Sequence, residues 1–284
     1  MTVNIAGVNL VCPLCKGEIL SNRNFISCIS CQQEYIQPEG NYINLFPEPE
    51  ITDKNGNWQE RQQEMVQWYQ DLLPDLEATV SVFEHDYFPF ESYFASLKGN
   101  IVDLGGGAGV VRHFLSEDAK LIVVDPSPDW LGADWAKLSR SFPCLVNPPD
   151  FILGIGEHLM FEDSSIDVVL SLWSMNHVDK PSNVFKEVLR VLKPGGKFFV
   201  VFEDMEPDWR DIMSKSLYQN IGRISWIKMF LLKLKIHFYI EKWTIQSDHL
   251  LITEKELDEW KKFGFRQQSR EWIANYLTFE FIKM

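Results

Sequence analysis

Four cysteines near the amino terminus form two Cys-x-x-Cys pairs, Cys12 with Cys15 and Cys28 with Cys31. Each pair turns tightly enough to present two thiolates to one ion, and four thiolates complete the tetrahedral coordination that Zn²⁺ prefers. The spacing therefore predicts a structural zinc site, against the alternatives of two disulfides or of cysteines that bind nothing. Residues 1–46 are too few to form much of a core, so metal binding would supply most of the folding free energy of this ribbon.

A glycine-rich segment in the middle of the chain predicts a second site. The apolar run 101–104 leads directly into Gly105-Gly-Gly107-Ala-Gly109, and the apolar spacing of 110–115 predicts a helix after this turn. Glycines allow a sharp backbone turn and a close approach to a ligand at the carboxyl end of a strand. A second apolar run ends at Asp125, whose carboxylate could accept hydrogen bonds from both hydroxyls of a ribose. A glycine pattern alone is weak evidence, but the acid downstream favours a nucleotide-type cofactor.

The elements around these residues predict an α/β fold. Several apolar runs of strand length follow Asp125 and alternate with an amphipathic helix, which indicates a parallel sheet with right-handed crossovers. A capping box at Thr253 and Glu256 predicts one more helix before the two final strands. The strands predicted after Asp125 are 151–155, 167–173, 197–203, 266–272 and 276–283, and the amphipathic helix is 184–192.

Composition and charge narrow the function classes. Hydrophobic residues make up 45% and charged residues 24% of the 284 residues, which is ordinary for a soluble globular protein. No signal peptide and no apolar stretch of transmembrane length is evident, so we expect a cytoplasmic protein, where reducing conditions favour metal ligation over disulfides. The net charge of −13 disfavours nucleic-acid binding, and the ribbon carries no basic patch.

The central segment resembles class I S-adenosylmethionine-dependent methyltransferases, in particular the methyltransferase type 11 or UbiE-like group. Residues 102–109, Val-Asp-Leu-Gly-Gly-Gly-Ala-Gly, resemble the first motif of that family, and Asp125 matches its ribose-binding acid. The stretch 154–167 and the run 188–196, Val-Leu-Arg-Val-Leu-Lys-Pro-Gly-Gly, are similar to two further family motifs. The resemblance implies a Rossmann-like, seven-stranded, doubly wound sheet with an antiparallel last strand.

The resemblance also implies a set of cofactor-binding residues. Ile155 stands where the family usually has an Asp that binds the adenine amino group, so adenine would rely on the backbone of 155–157 and on apolar packing. Asp103, at the end of the first strand of this domain, favours S-adenosylmethionine over NAD. The implied cofactor-binding residues are Asp103, Gly105, Gly107, Gly109, Asp125, Ile155, Gly156, Glu157 and Trp173.

Two residues are candidates for contact with the methyl acceptor. His177 would stand at the carboxyl end of the fourth strand, where the family's active site lies, as a base or an acceptor-orienting group; the alternative is a structural histidine. Tyr87, with its neighbour His85, falls in a segment that often covers the cofactor in this topology, although aromatic packing between helices explains it equally well. Methyl transfer mainly requires alignment and desolvation, since the cofactor brings the electrophile.

The chain is predicted to have three parts, which are the ribbon at 1–46, a linker with helices at 47–99, and the methyltransferase domain at 100–284. The domain includes an insertion at 206–250. Within it, 215–240 holds five basic residues and no acidic residue among many apolar ones. We expect a helical cap over the acceptor pocket; contact with a membrane surface and a helix pair packed on the domain are the alternatives.

Three functions stay open on the sequence alone. The apolar insertion and the acidic chain favour methyl transfer to O, N or C of a small, partly apolar metabolite. The order of ribbon and domain resembles bacterial ribosomal-RNA guanine-N1 methyltransferases, so an RNA acceptor is the second hypothesis. The third is a non-catalytic module that binds S-adenosylmethionine and recruits a partner through the ribbon. Neither the acceptor nor the oligomeric state follows from the sequence.

Overall fold

The computed structural model describes residues 2–22, 24–38, 42–47, 63, 67, 85–127, 139–140, 146–203, 205, 250–274 and 276–284. Its strands are β1 (Asn4–Ile5), β2 (Val8–Asn9), β3 (Ile19–Ser21), β4 (Phe25–Cys28), β5 (Glu34–Ile36), β6 (Tyr42–Asn44), β7 (Gly99–Leu104), β8 (Ala119–Asp125), β9 (Asp150–Leu153), β10 (Ile166–Leu172), β11 (Leu192–Phe202), β12 (Phe265–Ile273) and β13 (Tyr276–Lys283). The α-helices are α1 (Glu91–Ala95), α2 (Pro181–Val191) and α3 (Glu254–Lys261), and short 3-10 helices span Phe88–Phe90, Val110–Phe114 and Gly156–His158.

A sheet of eight strands, in the order β12-β13-β11-β10-β7-β8-β9-β6, forms the centre of the described structure. Neighbours from β11 to β6 pair in parallel, and β13 is antiparallel to both β11 and β12. The seven strands β7 to β13, with their antiparallel last strand, confirm the predicted Rossmann-like sheet. The eighth strand, β6, comes from the end of the ribbon and extends the sheet beyond β9.

Both faces of this sheet are buried, because successive side chains of a strand point to opposite sides. In β8, Ile122 and Val124 belong to one apolar cluster, whereas Leu121 and Val123 belong to the other. The same alternation continues through the neighbouring parallel strands. It explains why these strands are almost uninterrupted apolar runs, as is typical of a sheet that is covered on both faces.

Two helix predictions have different outcomes. The capping box is confirmed, since Thr253 Oγ1 accepts a hydrogen bond from Glu256 N and the Glu256 carboxylate accepts one from Thr253 N. The helix expected after the glycine-rich turn is a single 3-10 helix, Val110–Phe114. It ends because Leu115 returns to an extended conformation and the chain must enter β8 only four residues later, at Ala119.

The ribbon packs directly on the large sheet's domain. A small antiparallel sheet, β3-β4-β5, holds the second cysteine pair, and β1 and β2 form a hairpin. Val11 N donates a hydrogen bond to Met160 O at 2.8 Å, and Leu10 forms a bridge with Phe161. Buried ribbon residues such as Leu10 and Ile19 therefore share one apolar cluster with the domain.

Several expectations fall on residues that the structure does not describe. The expected cap at 206–250 lies outside the described residues except for Leu250. Of the linker and helices predicted at 47–99, the structure describes only positions 47, 63, 67 and 85–99. Among the helices that are described, none has the length and hydropathy to span a membrane.

Candidate functional site

The carboxyl ends of β7, β8, β9 and β10 meet at one edge of the sheet, and the sequence-predicted site residues follow these ends. Asp103 precedes the glycine-rich turn after β7, Asp125 ends β8, and Ile155 follows β9. Trp173 directly follows β10, and His177 comes four residues later. Because neighbouring parallel strands deliver their loops to the same edge, residues far apart in the chain share one crevice.

The glycine-rich turn has the backbone that only glycine adopts without strain. Gly105, Gly107 and Gly109 have φ values of 67°, 53° and 73°, in the left-handed region. A Cβ added at Gly105 would also lie 2.4 Å from Ser174 Cβ, since the loop after β10 packs against the turn. Ser174 Oγ fixes this approach by donating a hydrogen bond to Leu104 O at 2.6 Å.

Asp125 holds the turn from the neighbouring strand. Its Oδ2 accepts a hydrogen bond from Gly107 N at 2.9 Å, and its Oδ1 accepts one from Ser127 N at 2.8 Å. Burial raises the pKa of Asp125, and these two N–H groups oppose that rise. Its backbone carbonyl accepts a hydrogen bond from Gly154 N, which links the loop after β9 to the same point. The carboxylate is therefore fixed at the crevice in an orientation set by the backbone.

Asp103 is the buried acid of the site that lacks a partner within the described part of the chain. It is 1% exposed, and neither carboxylate oxygen has a hydrogen-bond partner there. Burial, and then the charge of Asp125, raise the pKa of Asp103 to about 7. A Cβ added at Gly106 would lie 2.4 Å from Asp103 Oδ2, so the carboxylate lies directly against the glycine-rich turn. An unpartnered buried carboxylate at this place suits a cationic group of a ligand.

Ile155, Gly156 and Glu157 all lie in the loop after β9, but the Glu157 side chain points to α2. Ile155 is buried and extended, and the 3-10 helix Gly156–His158 follows it. The Glu157 side chain points to the start of α2, where its Oε1 accepts hydrogen bonds from the N–H groups of Asp179 and Lys180 at 2.8 and 3.1 Å. Burial raises the pKa of Glu157, and those N–H groups oppose the rise. The backbone of this loop remains the part that a ligand could contact.

Aromatic rings surround Trp173 at the same edge. The ring centroids of Tyr87 and Tyr276 both lie 5.1 Å from that of Trp173 in edge-on geometry, and Phe90 lies at 6.2 Å. Trp173 adopts a φ of 59°, which is strained for a bulky residue, and its buried Nε1 has no hydrogen-bond partner among the residues described. Tyr87 also stacks parallel to Phe114. Tyr87 is thus part of a wall that joins the glycine-rich turn to the end of β10, whereas its neighbour His85 is exposed.

His177 lies beside an acid that the sequence interpretation did not single out. His177 Nε2 is 3.0 Å from Oε2 of Glu203, the first residue after β11. Asn176 Oδ1 accepts a hydrogen bond from Glu203 N at 3.0 Å, and Asn176 Nδ2 donates one to Leu250 O. The available signal was the position of Glu203 at the carboxyl end of the fifth predicted strand, next to the strand that precedes His177.

The four cysteines of the ribbon converge on one point. Their sulfur atoms all lie within 4.8 Å of one another, with 3.7 Å between Cys12 and Cys31 and 3.4 Å between Cys15 and Cys28. All four are free of disulfides. Four thiolates bound tetrahedrally at the usual Zn–S distance would be about 3.8 Å apart, close to what is observed. The donor set and its geometry therefore fit a single Zn²⁺.

Both cysteine pairs have the same local fold. The residue after each second cysteine, Lys16 or Gln32, is left-handed, with φ values of 61° and 62°. Its N–H donates a hydrogen bond to the carbonyl of the first cysteine in its pair. Tyr35 Oη lies 3.4 Å from Cys12 Sγ, and burial and the Cys12 contact raise the pKa of this phenol, which keeps it protonated and able to donate to a thiolate. The two pairs thus present their thiols through the same backbone turn.

Comparison with known proteins identifies a matching family and several similar curated proteins. Residues 102–200 match a family described as methyltransferase domain. The thiol S-methyltransferase TMT1B of Rattus norvegicus is 30% identical over 141 residues, which cover 48% of this chain and 56% of that protein. The ubiquinone/menaquinone biosynthesis C-methyltransferase UbiE of Rubrivivax gelatinosus is 31% identical over 111 residues, which cover 39% and 41%. The matched regions span about half the length of these curated relatives.

One of the similar solved structures is geranyl diphosphate C-methyltransferase from Streptomyces coelicolor A3(2), in complex with Mg²⁺, geranyl diphosphate and S-adenosyl-L-homocysteine. It is 12% identical, with a TM-score of 0.48, and the match covers 74% of this chain and 82% of that chain.

Proposed function

We propose that the protein binds S-adenosylmethionine through residues 102–200, which match the methyltransferase domain family, and transfers its methyl group to a small, partly apolar metabolite. The observation that carries this proposal is the unpartnered, buried carboxylate of Asp103 against a turn of left-handed glycines. A ligand with an ammonium group would give that carboxylate the partner it lacks. The pKa of Asp103, raised to about 7 without a ligand, would then fall, because a nearby cation favours the ionised form.

The residues at the crevice fit the remaining parts of this cofactor. Asp125 keeps lone pairs for the ribose hydroxyls, since a carboxylate accepts about four hydrogen bonds and two are used by backbone groups. Adenine would lie against Ile155 and the backbone of the loop after β9, while Glu157 holds the start of α2. The bound cofactor supplies the electrophilic methyl group.

The other side chains at the edge would align the acceptor and exclude water. The wall of Tyr87, Trp173 and Tyr276 is apolar and tightly packed, which suits an acceptor with an apolar part. His177 and Glu203 supply the polar groups at the end of the same strands. We assign this pair the orientation or deprotonation of the acceptor.

The nature of the curated relatives supports a small acceptor. Their names specify thiol S-methylation, C-methylation in ubiquinone/menaquinone biosynthesis and, in a protein of Caenorhabditis elegans, sterol 4-C-methylation. The methylated atom differs among them, being sulfur in the first and carbon in the other two. They favour the metabolite hypothesis over an RNA acceptor for this chain.

We also propose that the ribbon binds one structural Zn²⁺ through Cys12, Cys15, Cys28 and Cys31. The sulfur distances fit tetrahedral coordination, and four protein ligands leave no open position for catalysis. The metal would act by fixing the ribbon against the domain.

A transfer experiment tests the proposed function. The purified protein would be incubated with methyl-labelled S-adenosylmethionine and a cell extract separated into small-molecule, RNA and protein fractions. We expect label in the small-molecule fraction and none with Asp125→Ala, which removes the hydrogen bonds from Gly107 N in the turn and from Ser127 N. Label in RNA would replace the metabolite with the RNA hypothesis. Tight cofactor binding without label in any fraction would favour the non-catalytic module.

A further inference from the structure

Glu203 occupies a distinctive place at the carboxyl edge of the sheet. It directly follows β11, whose neighbour β10 leads into Trp173 and His177. About 30% of its side chain is exposed, which is more than the 11% of the His177 side chain. Burial, Asp86 and, more weakly, Glu203 raise the pKa of the Tyr276 phenol, so the Glu203 charge acts on the aromatic wall around Trp173.

Two neighbours fix the orientation of Glu203. Asn176 Oδ1 accepts a hydrogen bond from the Glu203 backbone N–H, and His177 Nε2 lies 3.0 Å from Glu203 Oε2. Because an ionised carboxylate only accepts hydrogen bonds, His177 is the donor, and its bond orients this group. One strand end thus offers a carboxylate that is held by the histidine, partly exposed and next to the cofactor crevice.

We propose that Glu203 is the residue that takes the proton of the methyl acceptor, and that His177 is a positioning residue that holds Glu203; this rests on the function proposed above. The acceptor class is then a small molecule whose methylated atom carries an acidic hydrogen, such as a hydroxyl, thiol or N–H group. The acceptor atom uses its electron pair to form the bond to the methyl carbon, and the carbon–sulfur bond breaks with its pair remaining on sulfur. The acceptor proton passes to a carboxylate oxygen of Glu203.

The assignment of roles follows from accessibility. His177 is the more buried partner, and the ring nitrogen that it shows to Glu203 is occupied by that contact. Glu203 has the more exposed side chain and stands at the strand end itself. A proton donor that enters the crevice would therefore reach the carboxylate before it reached the imidazole.

Chemical rescue distinguishes a base from a structural carboxylate. With the extract fraction that wild type labels as acceptor source, Glu203→Ala should lose about 100-fold or more of the transfer rate, since general bases typically contribute 10²–10⁴-fold. Added sodium formate should restore about tenfold of that loss, whereas sodium chloride at equal ionic strength should not. His177→Gln, which keeps an N–H donor, should retain more activity than His177→Leu.

As a second measurement, calorimetric titration gives the affinity of every variant for S-adenosylmethionine. This affinity should change by less than about threefold in Glu203→Ala, because the carboxylate faces the acceptor. Glu280→Ala is the control, since Glu280 is a carboxylate held by the side chains of Tyr93 and Lys197 that lies within β13, away from the strand ends. Full activity in Glu203→Ala, or a loss that formate does not restore, would overturn the proposal. Absence of cofactor binding by wild type would overturn the proposed function itself.

Discussion

Asp103 and Asp125 show how two acids of the same type are given different roles by their surroundings. Asp125 accepts one hydrogen bond from Gly107 N in the glycine-rich turn and one from Ser127 N, whereas the carboxylate of Asp103 accepts none within the described residues. The charge of one raises the pKa of the other. The ligand-free site is therefore electrostatically strained in a way that a cationic ligand would relieve.

Replacement of Asp103 by Asn should stabilise the ligand-free protein at high pH. The pKa of Asp103 is about 7 in the folded chain against 3.8 ordinarily, so between these values the folded state binds more protons than the unfolded state, and wild-type stability falls as the pH rises. The penalty is complete above about pH 7 and absent below about pH 4. Since one unit of pKa corresponds to about 1.4 kcal/mol and the buried amide also lacks a partner, we expect a gain of roughly 1–3 kcal/mol at pH 8.

Urea unfolding of the ligand-free protein between pH 4.5 and 8 measures this effect, with Asp118→Asn at an exposed position as the control. The advantage of Asp103→Asn should shrink as the pH falls. An advantage that is independent of pH, or a variant less stable than wild type at pH 8, would contradict the account of Asp103.

For individual residues, the sequence predicts some conformations but not the contacts between distant positions. Glycine has a backbone range that other residues lack, so Gly105, Gly107 and Gly109 could be placed in a sharp turn from their type alone. The contact between His177 and Glu203 joins residues 26 positions apart, and only the pairing of β10 with β11 brings them together. The left-handed backbone of Trp173 has no local sequence signal either, since a bulky residue rarely adopts it.

Helix α2 connects the ribbon to the candidate site. At its start, Glu157 accepts two backbone hydrogen bonds. Near its end, Arg190 donates to the carbonyls of Leu159 and Phe161, on the chain that leads away from the crevice loop. Lys16, the residue after the first cysteine pair, lies 2.6 Å from Glu187 and also donates to Leu159 O. Both ends of the helix are thus tied to the loop that follows β9.

Removal of the Lys16 ammonium should weaken this junction. Lys16→Met loses hydrogen bonds to Pro13 O and Leu159 O and the ion pair with Glu187, all partly buried, so we expect a loss of about 1–3 kcal/mol in the free energy of unfolding. Glu187→Gln should give a similar loss from the side of the domain. Denaturant unfolding measures both.

Lys180→Met provides the control for that experiment. Lys180 pairs with Asp179 on the surface, with 59% of its side chain exposed, and such pairs contribute at most about 1 kcal/mol. Equal losses in Lys16→Met and Lys180→Met would show that Lys16 does not join the ribbon to the domain.

For strands and helices, the sequence predicted their positions in the chain better than the contacts between them. Hydrophobic runs and the capping box placed β7 to β13 and α3, since these depend on local pattern. The predicted helix after the glycine-rich turn was wrong in type, because the distance along the chain to β8 limits it to a 3-10 helix. The joining of β6 to the sheet depends on a parallel pairing with β9, more than a hundred residues later, for which the sequence carries no local signal.

In the molecule as a whole, ribbon and domain share one apolar core. Ribbon residues Val3, Leu10 and Ile19 lie in the same cluster as domain residues such as Val102 and Phe161. The sequence predicted an appended module, yet β6 and this shared core make the ribbon part of the same structural unit within the described residues. Unfolding of the ribbon should therefore lower the stability of the whole domain.

Removal of the proposed zinc ion tests this coupling. Chelation with EDTA, or Cys15→Ser, should lower the midpoint of thermal unfolding of the entire chain by about 5 °C or more, since metal binding contributes directly to folding. The protein should unfold in one calorimetric transition with metal present. A domain transition that stays unchanged while a separate ribbon transition disappears would contradict a shared core.

The most direct test of the central claim is calorimetric titration of the ligand-free protein with S-adenosylmethionine. The account predicts one bound molecule per chain and an affinity that falls by about 10-fold or more in Asp103→Asn and in Asp125→Ala, because each loses charged hydrogen bonds to the ligand. Wild type that binds no S-adenosylmethionine, or variants that bind it as tightly as wild type, would contradict the claim that this crevice is a methyltransferase cofactor site.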